Sequence, residues 1–345
     1  MPATIWEATA PASVPVVDLI SLRNRIINGD MRVDQRNAGA AVTVNSAVYT
    51  YAVDRWAGFG QAADGVFTLQ QLSATPPEGF TNYLRATVTT ADAAIGAAQN
   101  YLLAHKIEGY NVADFDFGKS TAKSTVLSIR VRSSLAGTFS GSLLNNGADR
   151  AYVFTFTINA PNVWEYKTIV LPGDVTGTWT VDNTTGVFIF ISLGVGSNFK
   201  GASAVWGNTL LYAATGSVDL IGTNGATLDI AAAQFESGTV ATEFERRFFS
   251  DELDRCQRYY EKAAYEIWSG NVTSGNNNYI WTRFRTLKRI APVIVGVDLG
   301  VASFPAGVPS FVGIPSTTDG FRAEKTANAT ASGFFAFSWT ASAEL

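Results

Sequence analysis

Apolar residues recur at every second position over run after run of this chain, and that period restricts its fold more than any other feature. In residues 126–132, Leu127, Ile129 and Val131 fall on one face and Ser128, Arg130 and Arg132 on the other. A strand repeats its face every two residues and a helix every 3.6, so this reads as a strand with one buried face. Residues 152–158 repeat the pattern, with Tyr152, Phe154, Phe156 and Ile158 in register. Residues 187–193 differ, being continuously apolar and rich in β-branched side chains, as expected of a strand covered on both faces. Turn dipeptides punctuate the runs at Asp64-Gly65, Asn146-Gly147, Pro172-Gly173 and Asn224-Gly225. The spacing predicts an all-β sandwich and lacks the strand–helix rhythm of a parallel sheet.

Helical periodicity is sparse. Residues 19–27 are expected to form a short helix ahead of the first strand. Residues 250–262 are expected to form a second, with Ser250 as N-cap and Asp251 and Glu252 in the first turn, where the helix dipole favours carboxylates. Alternation resumes in residues 279–285 and 333–340. The predicted organisation is an N-terminal connector (1–23), a β-sandwich (24–247), a helical joint (248–262) and a small C-terminal β-domain (263–345). No internal repeat, heptad run or low-complexity tract interrupts it.

Charge and cysteine content narrow the function. With 345 residues the chain can close more than one core. Charged residues are only 16% and the formal net charge is -4, so there is no basic footprint for a phosphate backbone and nucleic-acid binding is not expected. The longest apolar run, 187–195, is far below the ~20 residues of a membrane helix, so membrane insertion is not expected either. Cys256 is the single cysteine, which excludes an intrachain disulfide framework and fits assembly in a reducing cytoplasm. No basic residue precedes Arg23, and Pro11 and Pro15 break the early apolar stretch, so no cleaved secretory leader is expected.

Catalytic groups are few. His105 is the only histidine and sits in a strand-like segment, where a hydrogen-bonded or exposed side chain is expected. No Gly-x-Ser-x-Gly elbow accompanies it, and Cys256 lies in a predicted helix far along the chain. Gly118-Lys119-Ser120 imitates the end of a P-loop, but Ala113 stands where the upstream glycine belongs. Glycoside hydrolysis needs two carboxyl groups about 5 to 9.5 Å apart across a groove. Asp114 and Asp116 share a strand face by parity and are the candidate pair; alternatively they cap turns while Phe115 and Phe117 anchor the loop.

Sugar binding asks for less, an aromatic face for the C–H face of a pyranose and a few directional hydrogen bonds. Trp164, Trp179 and Trp206 fall in or beside predicted loops with Tyr212 close to the last, and these four are the candidate platform. Trp56 is expected in the core. Farther on, Phe248, Phe249, Tyr259, Tyr260, Trp268, Tyr279 and Trp281 cluster in a stretch that looks too short to bury them all in one chain, and they are the predicted subunit interface. An ordinary internal core is the alternative.

Several segments taken together resemble a known family. Residues 24–36, Asn-Arg-Ile-Ile-Asn-Gly-Asp-Met-Arg-Val-Asp-Gln-Arg, and residues 53–56, Val-Asp-Arg-Trp, resemble the opening strands of carbohydrate-binding-module-like jelly rolls in bacteriophage tail proteins. Residues 233–246, ending Glu-Phe-Glu-Arg, resemble the closing strand and exit of that domain; Cys256-Gln-Arg-Tyr-Tyr260 is similar to the joint, and residues 337–345 to the terminus of many tail-fibre chains. Glu243 departs from the family's usual proline before Phe-Glu-Arg.

The resemblance implies a jelly roll and a non-catalytic tail-fibre or receptor-binding protein of the virion, assembled in the host cytoplasm. It implies a homotrimer that binds host surface polysaccharide and joins other virion proteins through its N-terminus. A glycan-depolymerising tail spike and a purely structural fibre or head-decoration subunit are the rival functions. No cofactor is implied beyond a structural calcium between the first and last strands, for which Asn28 and Asp30 at one end and Asp229 or Glu236 at the other would offer oxygen ligands. An Asn-Gly turn with solvated acids is the alternative.

Overall fold

The computed structural model describes residues 22–61, 64–311 and 317–345. Nearly all of the predicted N-terminal connector, and its attachment role, therefore lies outside the described residues. The first fifteen strands are β1 (Val42–Val44), β2 (Thr50–Val53), β3 (Trp56–Gly60), β4 (Val66–Leu72), β5 (Tyr83–Thr90), β6 (Asn100–Glu108), β7 (Thr125–Ser133), β8 (Gly137–Leu144), β9 (Ala151–Ile158), β10 (Glu165–Leu171), β11 (Thr185–Val195), β12 (Lys200–Gly201), β13 (Trp206–Gly207), β14 (Ala213–Ala214) and β15 (Thr227–Ser237). One sheet of the sandwich runs β1-β4-β5-β15-β7-β10 and the other β13-β9-β8-β11-β6-β3-β2. Neighbours in both are antiparallel.

Alternation dictates the packing. Leu127, Ile129 and Val131 of β7 share one core with Tyr152, Phe154, Phe156 and Ile158 of β9. The strand β11 is covered on both faces, as its unbroken apolar run predicts. Val187, Ile189, Ile191 and Leu193 enter the core between the sheets, whereas Phe188 and Phe190 face a second cluster with Leu102, Ala104, Phe199, Leu211 and Tyr212. That outer cover comes from residues 197–214, pinned by the short parallel pair β12 and β14.

The opening segment departs from expectation. Residues 22–27 form no helix and residues 24–36 no strand. Asn28 and Met31 adopt φ of 58° and 59°, and Asn28 Nδ2 bonds the carbonyls of Val33 (2.8 Å) and Asp54 (2.9 Å) while its Oδ1 accepts from Val33 N. Asparagine side chains that bond nearby backbone compete with regular structure and favour turns. The segment instead runs along β15, with Arg25 N donating to Phe235 O (2.8 Å) and Ala233 N to Gly29 O (2.9 Å). A Cβ on Gly29 would sit 2.1 Å from Ala233 O, so only glycine allows this approach. Residues 53–56 form the turn from β2 to β3, with Arg55 at φ 71°.

Beyond the sandwich, α1 (Phe249–Gln257) is followed by β16 (Tyr260–Val272), β17 (Asn277–Arg283), β18 (Val293–Ala302), β19 (Gly320–Thr326) and β20 (Ala331–Ser342). Asp251 and Glu252 occupy the first turn of α1 as predicted, but Phe248 holds the N-cap position and Ser250 lies inside the helix. The helix also ends before residue 262, because Tyr260 pairs with Ser342 and begins β16; a long-range ladder overrides the local helical pattern. A sheet β16-β20-β18 and a pair β17-β19 enclose Phe284, Phe321, Phe335, Phe337 and Trp339.

Charged groups bind this second unit to the sandwich. Glu108 of β6 receives Arg258 Nε (2.9 Å) and the Tyr259 hydroxyl (2.7 Å). Glu344 pairs with Arg55 and, at 2.6 Å, with Arg36. Arg289 donates to the carbonyls of Asn183, Ala343 and Glu344.

Candidate functional site

The outer face of the six-stranded sheet carries the polar half of the alternation. Arg132 on β7 stands opposite Asp229 on β15, and Asp229 opposite Arg85 on β5. The buried Asp229 carboxylate receives Arg85 Nε (2.7 Å) and Nη2 (2.9 Å) and Arg132 Nε (2.7 Å). One step along β7, Arg130 faces Tyr166 of β10 and Ala231 of β15. There β15 gains one residue relative to β7 between Ala231 and Gln234, and Ala232 takes φ 50°. Such a bulge bends the strand and re-aims its side chains.

A groove opens over the bulge. Its volume is about 420 Å³, with Ser128, Arg130 and Ala232 as its floor and Tyr166, Phe80, Phe244, Glu78, Glu243 and Arg246 as its walls. Phe80 and Phe244, from the loops on either side, meet edge to face at 5.2 Å. Arg246 Cζ lies 4.6 Å from the Phe80 ring centroid, and Arg130 Cζ 4.9 Å from that of Tyr166, whose side chain is 46% exposed. A smaller hollow of about 230 Å³ shares Phe80 and Arg246 and adds Asp30, Arg32 and Arg247.

The wall is built from beneath. The buried Glu236 carboxylate accepts from Thr242 N (2.9 Å) and Oγ1 (2.7 Å), and buried Gln234 accepts from Glu245 N (2.7 Å). These bonds fix the loop that presents Glu243, Phe244 and Arg246. The groove thus combines aromatic surface with directional donors and acceptors, the chemistry that a pyranose requires.

The four predicted platform residues do not share this groove. Trp164 lies on the same sheet, edge-on to Tyr83 at 5.5 Å, with Arg132 over its ring at 4.6 Å and its Nε1 donating to Thr75 O (3.0 Å). Trp179 and Trp206 come together at 5.6 Å, but with Phe117 they form an aromatic plug against the sandwich core. Tyr212 packs against Phe190 at 5.1 Å on the outer face of the other sheet. Phe80, Tyr166 and Phe244 were missed. Only Tyr166 had a usable signal, since its parity on β10 points it outward beside Thr168.

The predicted calcium ligands each have partners within the chain. Asn28 holds its own turn, Asp30 pairs with Arg32, Asp229 is held by two arginines and Glu236 anchors the wall loop. Among the described residues, no three His, Cys, Asp or Glu side chains converge as a metal group.

The predicted carboxylate pair is not on a strand. Asp114 lies in a 3-10 turn and pairs with Arg25 at 2.8 Å, whereas Asp116 is left-handed (φ 54°) and pairs with Lys119 at 2.7 Å. Phe115 and Phe117 anchor that turn in the core. His105 is not exposed. It is buried with its ring 4.8 Å from that of Trp56, and the Arg55 backbone lies beside the imidazole. Burial, and then the charge of Arg55, hold its pKa well below the ordinary range.

The predicted subunit interface divides. Phe248, Phe249 and Tyr279 are exposed, whereas Trp281 is half-buried and Trp268 stacks on Phe335 at 5.7 Å. Tyr259 and Tyr260 are buried within the chain, because the joint folds back onto the sandwich and Arg55 and Arg36 cover their rings at 3.7 and 3.6 Å. Neither can face a partner copy.

No protein-family model matches the sequence, and no curated protein matches it. Among solved structures the chain is similar to the enzymatically active domain of bacteriophage CBA120 tailspike protein 4, at 10% identity and a TM-score of 0.33; the match covers 64% of this chain and 22% of that one. It is also similar to the family 11 carbohydrate-binding module from Clostridium thermocellum in complex with a β-1,3-1,4-mixed-linked tetrasaccharide, at 12% identity and a TM-score of 0.29, covering 57% and 95% of the two chains. A third similar structure is TmCBM61 in complex with β-1,4-galactotriose, at 8% identity and a TM-score of 0.27, covering 53% and 88%. Likenesses this shallow decide nothing for this chain, and its fold rests on the strand registers given above.

Proposed function

We propose that this chain is a glycan-binding attachment protein of a bacteriophage virion, a tail-fibre or receptor-binding subunit that holds a host polysaccharide without cleaving it. The observation that carries the binding half is the groove over the Ala232 bulge, where Tyr166, Phe80 and Phe244 offer ring surface among arginine and glutamate side chains. Ion pairing of Asp114 and Asp116 with separate cations weighs against the one carboxylate pair that the sequence suggested for hydrolysis. Location in the virion, assembly in the host cytoplasm and attachment through the N-terminus extend the tail-protein resemblance.

A glycan array followed by titration calorimetry tests the reading. Tyr166→Ala and Phe80→Ala should each weaken the captured glycan about tenfold, since one ring–sugar stack is worth about 1 to 1.5 kcal/mol, while Trp206→Ala leaves affinity unchanged. Capture of no glycan, or capture indifferent to the groove variants, would sink the proposal. Release of reducing ends that disappears in a Glu78→Gln, Glu243→Gln double variant would move the chain to the depolymerising class.

Self-association as a homotrimer is part of the proposal, because one weak sugar site holds a surface only when several act together. Its support is a different strip from the predicted aromatic set. On one face of β18, Val293, Val295, Val297 and Leu299 are 69%, 59%, 58% and 47% exposed, and Ile267 of β16 lies exposed on the same sheet. An apolar row on an edge strand favours burial by another copy. Light scattering should give a trimer mass that falls to monomer in Val297→Lys; a monomeric wild type at micromolar concentration would refute this part.

A further inference from the structure

We infer that the glycan taken by the groove is acidic, bearing a carboxylate or sulfate that Arg130 and Arg246 bind. This rests on the glycan-binding reading and names its ligand class.

Several guanidiniums elsewhere in the chain are answered by its own carboxylates. Arg85 and Arg132 share Asp229, Arg36 and Arg55 share Glu344, Arg150 holds Asp174 and Arg258 holds Glu108. The two arginines of the groove are not so answered. Among the described residues neither pairs with a carboxylate, and Arg130 donates no side-chain hydrogen bond at all, whereas Arg246 gives one N–H to Gly79 O at 2.8 Å.

Position makes them a binding device. Each guanidinium lies over an aromatic ring, Arg130 over Tyr166 and Arg246 over Phe80. Stacking restrains the guanidinium without occupying its N–H edge, so a planar fork of donors stays presented to the groove. Such a fork matches the two oxygens of a carboxylate or sulfate, and the charge-assisted bonds it forms are about twice as strong as those to a neutral hydroxyl. Glu78 and Glu243, exposed on the same walls, disfavour an anion beside them and can accept bonds from sugar hydroxyls. The ligand that satisfies both sets is a polyhydroxylated chain with a localised negative charge. Nucleic acid fits poorly, because its phosphates are evenly spaced and the chain's net charge is -4.

The test applies the full-length chain to arrayed uronate-bearing, sulfated and neutral polysaccharides, then titrates the captured glycan before and after reduction of its carboxylates or removal of its sulfates. The expected result is capture of acidic glycans only, with binding lost when the charge is removed. An Arg130→Gln, Arg246→Gln double variant, with an unchanged melting temperature as proof of folding, should bind at least about tenfold more weakly and lose the salt dependence of wild type. Capture of neutral glycans at an affinity the double variant does not alter would overturn the acidic assignment and leave the glycan-binding reading standing. Capture of nothing would overturn both.

Discussion

Arg55 and Arg130 each lie over a tyrosine ring, 3.7 Å from the centroid of Tyr259 in one case and 4.9 Å from that of Tyr166 in the other, yet they do opposite work. Arg55 is 1% exposed in the seam between the sandwich and the C-terminal unit, bound to Glu344 and to the Lys106 carbonyl. Arg130 stands at a groove open to water and pairs with no carboxylate among the described residues. The difference teaches where this chain can keep a free charge. A fully buried guanidinium must be paired, because its desolvation costs several kcal/mol, whereas a half-buried one at a groove bears a smaller penalty and remains available to a ligand.

The sharpest way to break this contrast is in the seam. Glu344→Ala leaves Arg55 buried without its partner and should cost about 3 to 5 kcal/mol, read as a lowered urea midpoint. A cost below about 1 kcal/mol would mean that water reaches Arg55 and that the two regions differ less than their geometry indicates.

The next effect lies beside the seam, at His105. Its pKa is held well below the ordinary value by burial and then by Arg55. The unfolded chain takes up this proton near pH 6.5 and the folded chain does not. Stability attributable to His105 is therefore intact above about pH 6.5 and falls by about 1.4 kcal/mol per pH unit below it, until the folded pKa is reached. Asp54 works in the other direction. Burial raises it to about 6, so its contribution improves as pH falls through that value. The comparison of wild type with His105→Leu cancels Asp54, and wild type should lose ground steadily from about pH 6.5 to about pH 5. A difference independent of pH would show that the ring finds a partner or protonates in place.

The smallest effect belongs to the groove. Arg130→Ala in the absence of glycan should change stability by less than about 0.5 kcal/mol, as for other surface positions, measurable by thermal melting. A loss above about 1 kcal/mol would assign Arg130 to the sheet and weaken its claim on a ligand.

Much of the fold was legible in the sequence, and the reason is local. Faces of a strand alternate whatever it packs against, so Leu127, Ile129 and Val131 announced the core side of β7, and the unbroken run of β11 announced its double cover. The carboxylates at the start of α1 were legible through the helix dipole. The site was not. Phe80, Tyr166 and Phe244 belong to three distant segments, and their meeting depends on the β7–β10 register, the bulge at Ala232 and the buried carboxylate of Glu236. Tryptophans drew attention by size, yet size is also what draws an indole into a core, as with Trp179 and Trp206.

By itself, then, the sequence determined that this chain forms short strands with assigned faces, carries no basic footprint and holds one histidine and one cysteine, because period, charge and residue counts do not depend on folding. Only the tertiary structure decided which of those faces stay in water. On β18 the phase holding Val293, Val295 and Val297 is exposed and the phase holding Ile294 packs inward, since burial is set by which sheet face another element covers. Among arginines of identical chemistry, the same partner geometry placed Arg55 against a carboxylate and left Arg130 over the Tyr166 ring at a groove, with no carboxylate partner among the described residues.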